Sequence, residues 1–107
     1  MDVELDLAAL PVLEGAEETA NAGILSSLQP ANVRLRRALR HPEGFVAHPR
    51  YPLLFDPQTA GGLLATVPAD QAQACVIALR AGGYPETAVI GRILPQGDAL
   101  EPITLCE

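Results

Sequence analysis

Leu54-Phe55-Asp56-Pro57-Gln58-Thr59-Ala60-Gly61-Gly62-Leu63-Leu64, running on through Ala65-Thr66-Val67, stands in the middle of a 107-residue chain. An acid, a proline, an amide and a hydroxyl fill four consecutive positions, and a Gly-Gly step and an apolar stretch follow. Gly62 to Val67 reads as a short, nearly all-apolar strand suited to the middle of a sheet, and Pro68 ends it. The preceding residues do not have a core composition. Pro57 fixes its own φ and holds Asp56 extended, so the carboxylate is aimed. Gln58 and Thr59 offer side-chain donors. Gly61 and Gly62 lack the Cβ that would bar backbone N–H groups from an anion. The set suits phosphate oxygens or a neighbouring nucleotide-binding loop. The competing reading is an Asx-type turn capping the start of the strand.

Working outward, Ala69 to Ala81 is the clearest helix: Ala72, Cys75, Val76 and Leu79 make one apolar stripe, and Gly82-Gly83 stops it. Thr87 to Leu94 and Ile103 to Cys106 read as two more strands. On the N-terminal side, Val3, Leu5 and Leu7 alternate with Glu4 and Asp6, the period-2 signature of a half-buried strand. Asp2, Glu4 and Asp6 then share one face, read as solvent-facing. Leu13 to Ala22 is a helix with Glu14, Glu17 and Glu18 early, where the dipole favours them, and Gly23 follows as its stop. A second helix is predicted from Pro30 to Arg40, its stripe carried by Ala31, Leu35, Ala38 and Leu39. Residues 41–53 contain three X-Pro steps and read as loop. The order β-α-α-loop-β-α-β-β gives an α+β fold, a mixed sheet packed by helices, in a single domain spanning 1–107.

The formal net charge is -6. Binding of the whole chain to nucleic acid or to an anionic membrane is not expected. Residues 1–18 carry six acids and no base, whereas Arg34, Arg36, Arg37 and Arg40 fall within seven positions. There is no lysine, which excludes a P-loop or Schiff-base lysine within these residues. The arginine cluster needs an anionic partner: the acidic N-terminal residues or further protein on one reading, a polyphosphate on another. Asn32 either caps locally or points its amide at a ligand. His41 and His48 lack a third ligand at recognisable spacing, so no metal site is expected. Cys75 and Cys106 read as reduced thiols of a cytoplasmic protein, with Cys75 a core residue.

The run Leu54–Leu64 resembles the "DPQT-(S/A)-GG-LL" signature of the selenophosphate synthetase (selenide, water dikinase) family. Val67-Pro68 followed by a helix, then Ala88-Val89-Ile90-Gly91-Arg92, is similar to that family's "VP…A.IG.(I/V)" ending. Ser26-Ser27-Leu28-Gln29-Pro30-Ala31-Asn32-Val33-Arg34-Leu35-Arg36-Arg37 is similar to a further segment of it. The resemblance covers residues 3–105. It implies the C-terminal domain fold of the aminoimidazole ribonucleotide synthetase superfamily. It also implies an ATP- and magnesium-dependent activity that makes selenophosphate from selenide, with AMP and phosphate released. The family's catalytic Cys or selenocysteine, essential lysine, glycine-rich segment and metal-binding aspartates do not appear here, and neither does its "D-(V/I)-T-G-F-G" segment. The resemblance therefore implies the C-terminal portion of a larger, homodimeric enzyme, truncated at its start and inactive by itself. It would partner an N-terminal catalytic domain, with no catalytic or metal residue of its own and no Mg-ATP held alone. Asp56, Gln58, Thr59, Gly61 and Gly62 would line the domain junction on the nucleotide side, with Asn32 and Arg36 as further phosphate contacts. The alternatives are another ATP-using member of the superfamily and a non-catalytic module that binds an anion or a partner.

Overall fold

The computed structural model describes all 107 residues. A four-stranded mixed sheet organises the chain, in the order β2-β4-β1-β3, with β1 Asp2–Asp6, β2 Leu39–Arg40, β3 Gly91–Leu94 and β4 Ile103–Cys106. The first strand lies inside the sheet, between β4 and β3. It runs parallel to β4, with Val3 opposite Ile103, and antiparallel to β3, with Glu4 opposite Arg92. That last register makes a cross-strand ion pair, Arg92 Nε to Glu4 Oε1 at 2.7 Å.

Gly91 explains how β1 and β3 come so close. A Cβ there would lie 2.1 Å from the Glu4 carbonyl oxygen and 3.2 Å from Leu5 Cα, both backbone atoms. The Ile-Gly-Arg step thus has a packing reason that only glycine meets.

The helices are α1 Ala16–Asn21, α2 Gln29–Asn32 and α3 Ala72–Ala81, the last entered through a 3-10 turn at Ala69–Gln71. Gly83 at φ 102° follows α3 and Gly23 at φ 76° follows α1, the left-handed turns expected at helix ends.

The segment 30–40 departs from its predicted helix. It makes one α turn, tightens into a 3-10 helix over Val33–Ala38, and ends as β2. Tertiary pairing overrides the local pattern here. Leu39 and Arg40 pair with Ile103 and Thr104 of β4, and Leu39 is buried in the core.

The core is small. Leu7, Leu39, Phe55 and Leu105 form it, flanked by Leu5, Leu10, Val33, Phe45, Tyr51, Leu54 and Ile103. Two 3-10 turns, Pro42–Phe45 and Pro52–Phe55, occupy the predicted loop and supply the Tyr51–Phe55 edge-to-face pair at 5.4 Å. Arg50 ties this cover to the turn after β1. Its Nη1 donates to the carbonyls of Ala8 at 2.6 Å and Leu10 at 2.8 Å, and its Nε to Glu17 Oε1 at 2.6 Å.

Asp2 is not solvent-facing as its alternation suggested. It is buried, and its Oδ2 accepts from Arg40 Nη2 at 2.8 Å and from the Gly97 N–H at 3.3 Å. The same guanidinium reaches the Glu101 carbonyl at 2.8 Å, so one ion pair joins β1, β2 and the chain leading into β4.

The strand predicted at Gly62–Val67 does not form. These residues are irregular, unpaired and exposed, with Leu63 at 103% and Leu64 at 78% of full exposure. The residues have the right composition for a central strand but no strand beside them. Only 8 of 107 residues are buried, and the surface of 7934 Å² compares with about 5,700 Å² for a compact monomer of this mass. No helix is long and apolar enough to cross a membrane.

Candidate functional site

The motif run starts inside the fold and ends outside it. Phe55, 5% exposed, anchors it in the core. The Asp56 N–H closes the preceding 3-10 turn on the Leu53 carbonyl at 3.2 Å. Asp56 then takes φ -66°, ψ 122°, the extended conformation that Pro57 imposes on the residue before it. From Gln58 onward the chain leaves the body, and Gln58, Thr59, Gly61 and Gly62 are all exposed.

Asp56 opens onto a cavity of about 340 Å³ that also has Gln29, Glu14, Thr19, Leu13, Ile24, Leu25 and Leu53 in its wall. Gln29 is the residue here that sequence reasoning missed. It is 4% exposed, and its Nε2 donates to the Pro52 carbonyl at 2.9 Å. Its Oε1 is buried without a partner. A buried amide oxygen lacking a donor costs about 1–3 kcal/mol. The only sequence signal was an amide just before Pro30, which by itself reads as an ordinary helix start.

The two glycines differ in their surroundings. A Cβ at Gly61 would meet the Gln58 side chain, nearest at its Oε1, 2.5 Å away, and one at Gly62 would meet nothing within 4 Å. Neither has positive φ. The Gln58 amide therefore folds back over the glycine step, and the outer side of Gly62 is open.

Not all predicted site residues come together. Asp56, Gln58, Thr59, Gly61 and Gly62 lie along one exposed arm. Asn32 is half-buried at the end of α2. Arg36 lies on the wall of a different cavity, with Arg34 and Arg37. Arg40, grouped with these arginines in the sequence, is drawn away into its bond with Asp2.

Three titrating groups have shifted affinities for protons. The hydrogen bond from Arg40 holds the Asp2 carboxyl below the usual carboxylate range, against a smaller opposing effect of burial. The bond to Glu4 holds Arg92 more firmly protonated. Burial pushes the Cys106 thiol up, helped by Glu4 and Asp6, which makes Cys106 a poor nucleophile.

Curated proteins match this chain along most of its length. A selenide, water dikinase of Clostridioides difficile is 30% identical over 98 residues, 92% of this chain and 28% of that protein. One from Nitratidesulfovibrio vulgaris is 38% identical over 105 residues, 94% of this chain and 27% of that protein. One from Myxococcus xanthus is 36% identical over 90 residues, 83% of this chain and 25% of that protein. The chain is thus similar to a portion of selenide, water dikinases. It spans about a quarter of the length of these relatives. No family model matches it. The α+β mixed sheet agrees with the fold expected of a selenide, water dikinase portion.

Proposed function

We propose that this chain is the non-catalytic C-terminal portion of an enzyme that makes selenophosphate from selenide and ATP, releasing AMP and phosphate. In this reading 1–107 is one domain. The arm Asp56–Gly62 borders the nucleotide side of the junction with the catalytic portion, and the complete protein is a homodimer. Asp56 is aimed by Pro57, and Gln58 and Thr59 supply donors. Gly61 and Gly62 leave their N–H groups accessible to phosphate oxygens, so their contribution is electrostatic positioning. Asn32 and Arg36 are secondary candidates for phosphate contact, and Arg36 would act from its separate cavity.

The observation that carries this reading is the openness of Gly62. The fold of this chain makes no demand for glycine there, yet the step sits in the stretch that matches the family signature. Magnesium-ATP is the cofactor implied. No three His, Cys, Asp or Glu side chains of this chain converge as a metal site, so the metal ligands would come from other residues of the complete protein.

The test is phosphorus NMR of the complete protein with magnesium-ATP and selenide, with and without residues 1–107, and with Gly62→Val. Selenophosphate and AMP should form only when the segment is present. Gly62→Val should lower the rate at least about tenfold while leaving the melting temperature in place, since open space receives the new side chain. Equal loss of activity and stability would return the glycine to a turn-capping role. ATP left intact under anaerobic, reducing conditions would favour the partner-binding module, for which the uncovered apolar arm speaks. ATP use without selenide dependence would favour another member of the superfamily.

A further inference from the structure

We propose that the cavity beside the 3-10 helix Val33–Ala38 binds a linear oligophosphate through Arg34, Arg36 and Arg37. This site is separate from the Asp56–Gly62 arm and does not depend on the reading of that arm.

The seven arginines fall into two groups. Arg40, Arg50 and Arg92 each hold a carboxylate, on Asp2, Glu17 and Glu4, at 2.8, 2.6 and 2.7 Å. Arg80 donates to the Thr87 carbonyl at 3.0 Å. The other three have no carboxylate within ion-pair distance, in a chain with thirteen acids and a net charge of -6. All three line one cavity of about 490 Å³.

The backbone explains the convergence. An α-helix would spread these side chains over 100° steps. The 3-10 geometry, with three residues per turn, sets Arg34 directly below Arg37, and Arg36, a third of a turn round, borders the same cavity. Three arginines then border one space, and guanidinium donors are suited to charge-assisted bonds with phosphate oxygens. Tyr51, Pro42 and Val46 supply the apolar wall, and Glu43 and Glu101 also line it. Those two acids make no ion pair with the cluster, so the lining keeps one excess positive charge. A single small anion gains little against that mixture. An extended phosphate chain that reaches all three arginines gains more, which sets the ligand class.

The test follows the arginine Nε–H signals of the ¹⁵N-labelled chain by NMR, titrated with sodium tripolyphosphate at about 20 mM salt, where screening is weak. Three arginine signals should move on one saturable isotherm and disappear singly in Arg34→Gln, Arg36→Gln and Arg37→Gln. Arg36→Gln or Arg37→Gln should weaken binding about tenfold, with backbone signals otherwise unchanged because these side chains are exposed. Arg92→Gln should bind as the parent does. ATP tighter than tripolyphosphate would identify a nucleotide as the source, and equal affinity the phosphate chain alone, both in support. Absence of saturation by about 10 mM, equal weakening by Arg92→Gln, or orthophosphate binding as tightly as tripolyphosphate would each overturn the proposal.

Discussion

Replacing Leu64 with Glu should leave the fold of this chain unchanged and weaken the self-association that its uncovered apolar surface predicts. The surface is 7934 Å², roughly 2,200 Å² more than a compact monomer of 11.3 kDa would expose. The radius of gyration, 14.8 Å, likewise exceeds the value of about 13 Å for 107 residues. A standard interface takes only about 800 Å² from each partner, so one chain carries more than twice that in excess. Much of it is apolar: Leu63, Leu64 and Val67 on the unpaired arm, Ile77 and Leu79 on α3, and Val89 and Ile93 at β3. β3 is also an edge of the sheet, and residues 57–69 carry no charge that would discourage pairing.

A fully buried leucine contributes about 1.5–3 kcal/mol, and a two-fold contact counts each replaced residue twice. Leu64→Glu should therefore weaken a dimer by roughly 3–6 kcal/mol, about two to four powers of ten in dissociation constant. Sedimentation velocity across about 1–100 μM reads this directly. The parent chain should sediment above its monomer mass of 11.3 kDa and the variant at it, with identical circular dichroism. A monomeric parent at the top of that range, or a variant that unfolds, would refute the claim that the arm is uncovered.

Gly91→Ala should destabilise by at least about 2 kcal/mol in urea unfolding, because a clash with the Glu4 carbonyl is relieved only by moving β1 from β3. A change within about 0.5 kcal/mol would mean that the two strands are not so closely paired. The Asp2–Arg40 pair gives an acid-side pH dependence. Folding lowers the proton affinity of Asp2, so its contribution is fully present above the unfolded value of about 3.9 and fades as pH falls through the lower folded value. Acid melts of Asp2→Asn should accordingly lose part of the parent's slope below about pH 4, and an unchanged slope would refute the pairing.

The parts legible in the sequence are those whose partners lie nearby in pattern. The alternation at Val3, Leu5 and Leu7 gave β1, and Ile103–Cys106 was read with its observed bounds. The stripe at Ala72, Cys75, Val76 and Leu79 gave α3, although only Val76 is buried and Cys75 is half-buried rather than core. Three readings needed information that periodicity lacks. Alternation assigns Asp2 to a face but cannot say that Arg40, thirty-eight positions away, covers it. The apolar spacing of 31–39 fits a helix, but Leu39 and Arg40 gain more by pairing with β4, and the chain tightens to reach it. The composition of Gly62–Val67 demands burial without saying against what.

That last demand and the family signature overlap at Gly62, Leu63 and Leu64, and the glycines show why the overlap matters. Gly91 is required by this chain's own backbone, which passes too near for a Cβ. Gly83 is required by its left-handed φ after α3. Gly62 is required by neither crowding nor φ. Asp56 is fixed by Pro57 and Phe55 on its inner side, while Gln58, Thr59 and the glycine pair extend outward from it. A sequence selected only to fold these 107 residues would gain by replacing Gly62, since a Gly with ordinary φ and free space costs unfolded-chain entropy that Ala does not. Gly62→Ala in this chain should thus raise stability by about 0.4–1 kcal/mol in urea unfolding. A loss instead would show that the fold itself uses the glycine, and would remove the chief support for a ligand or partner on that side.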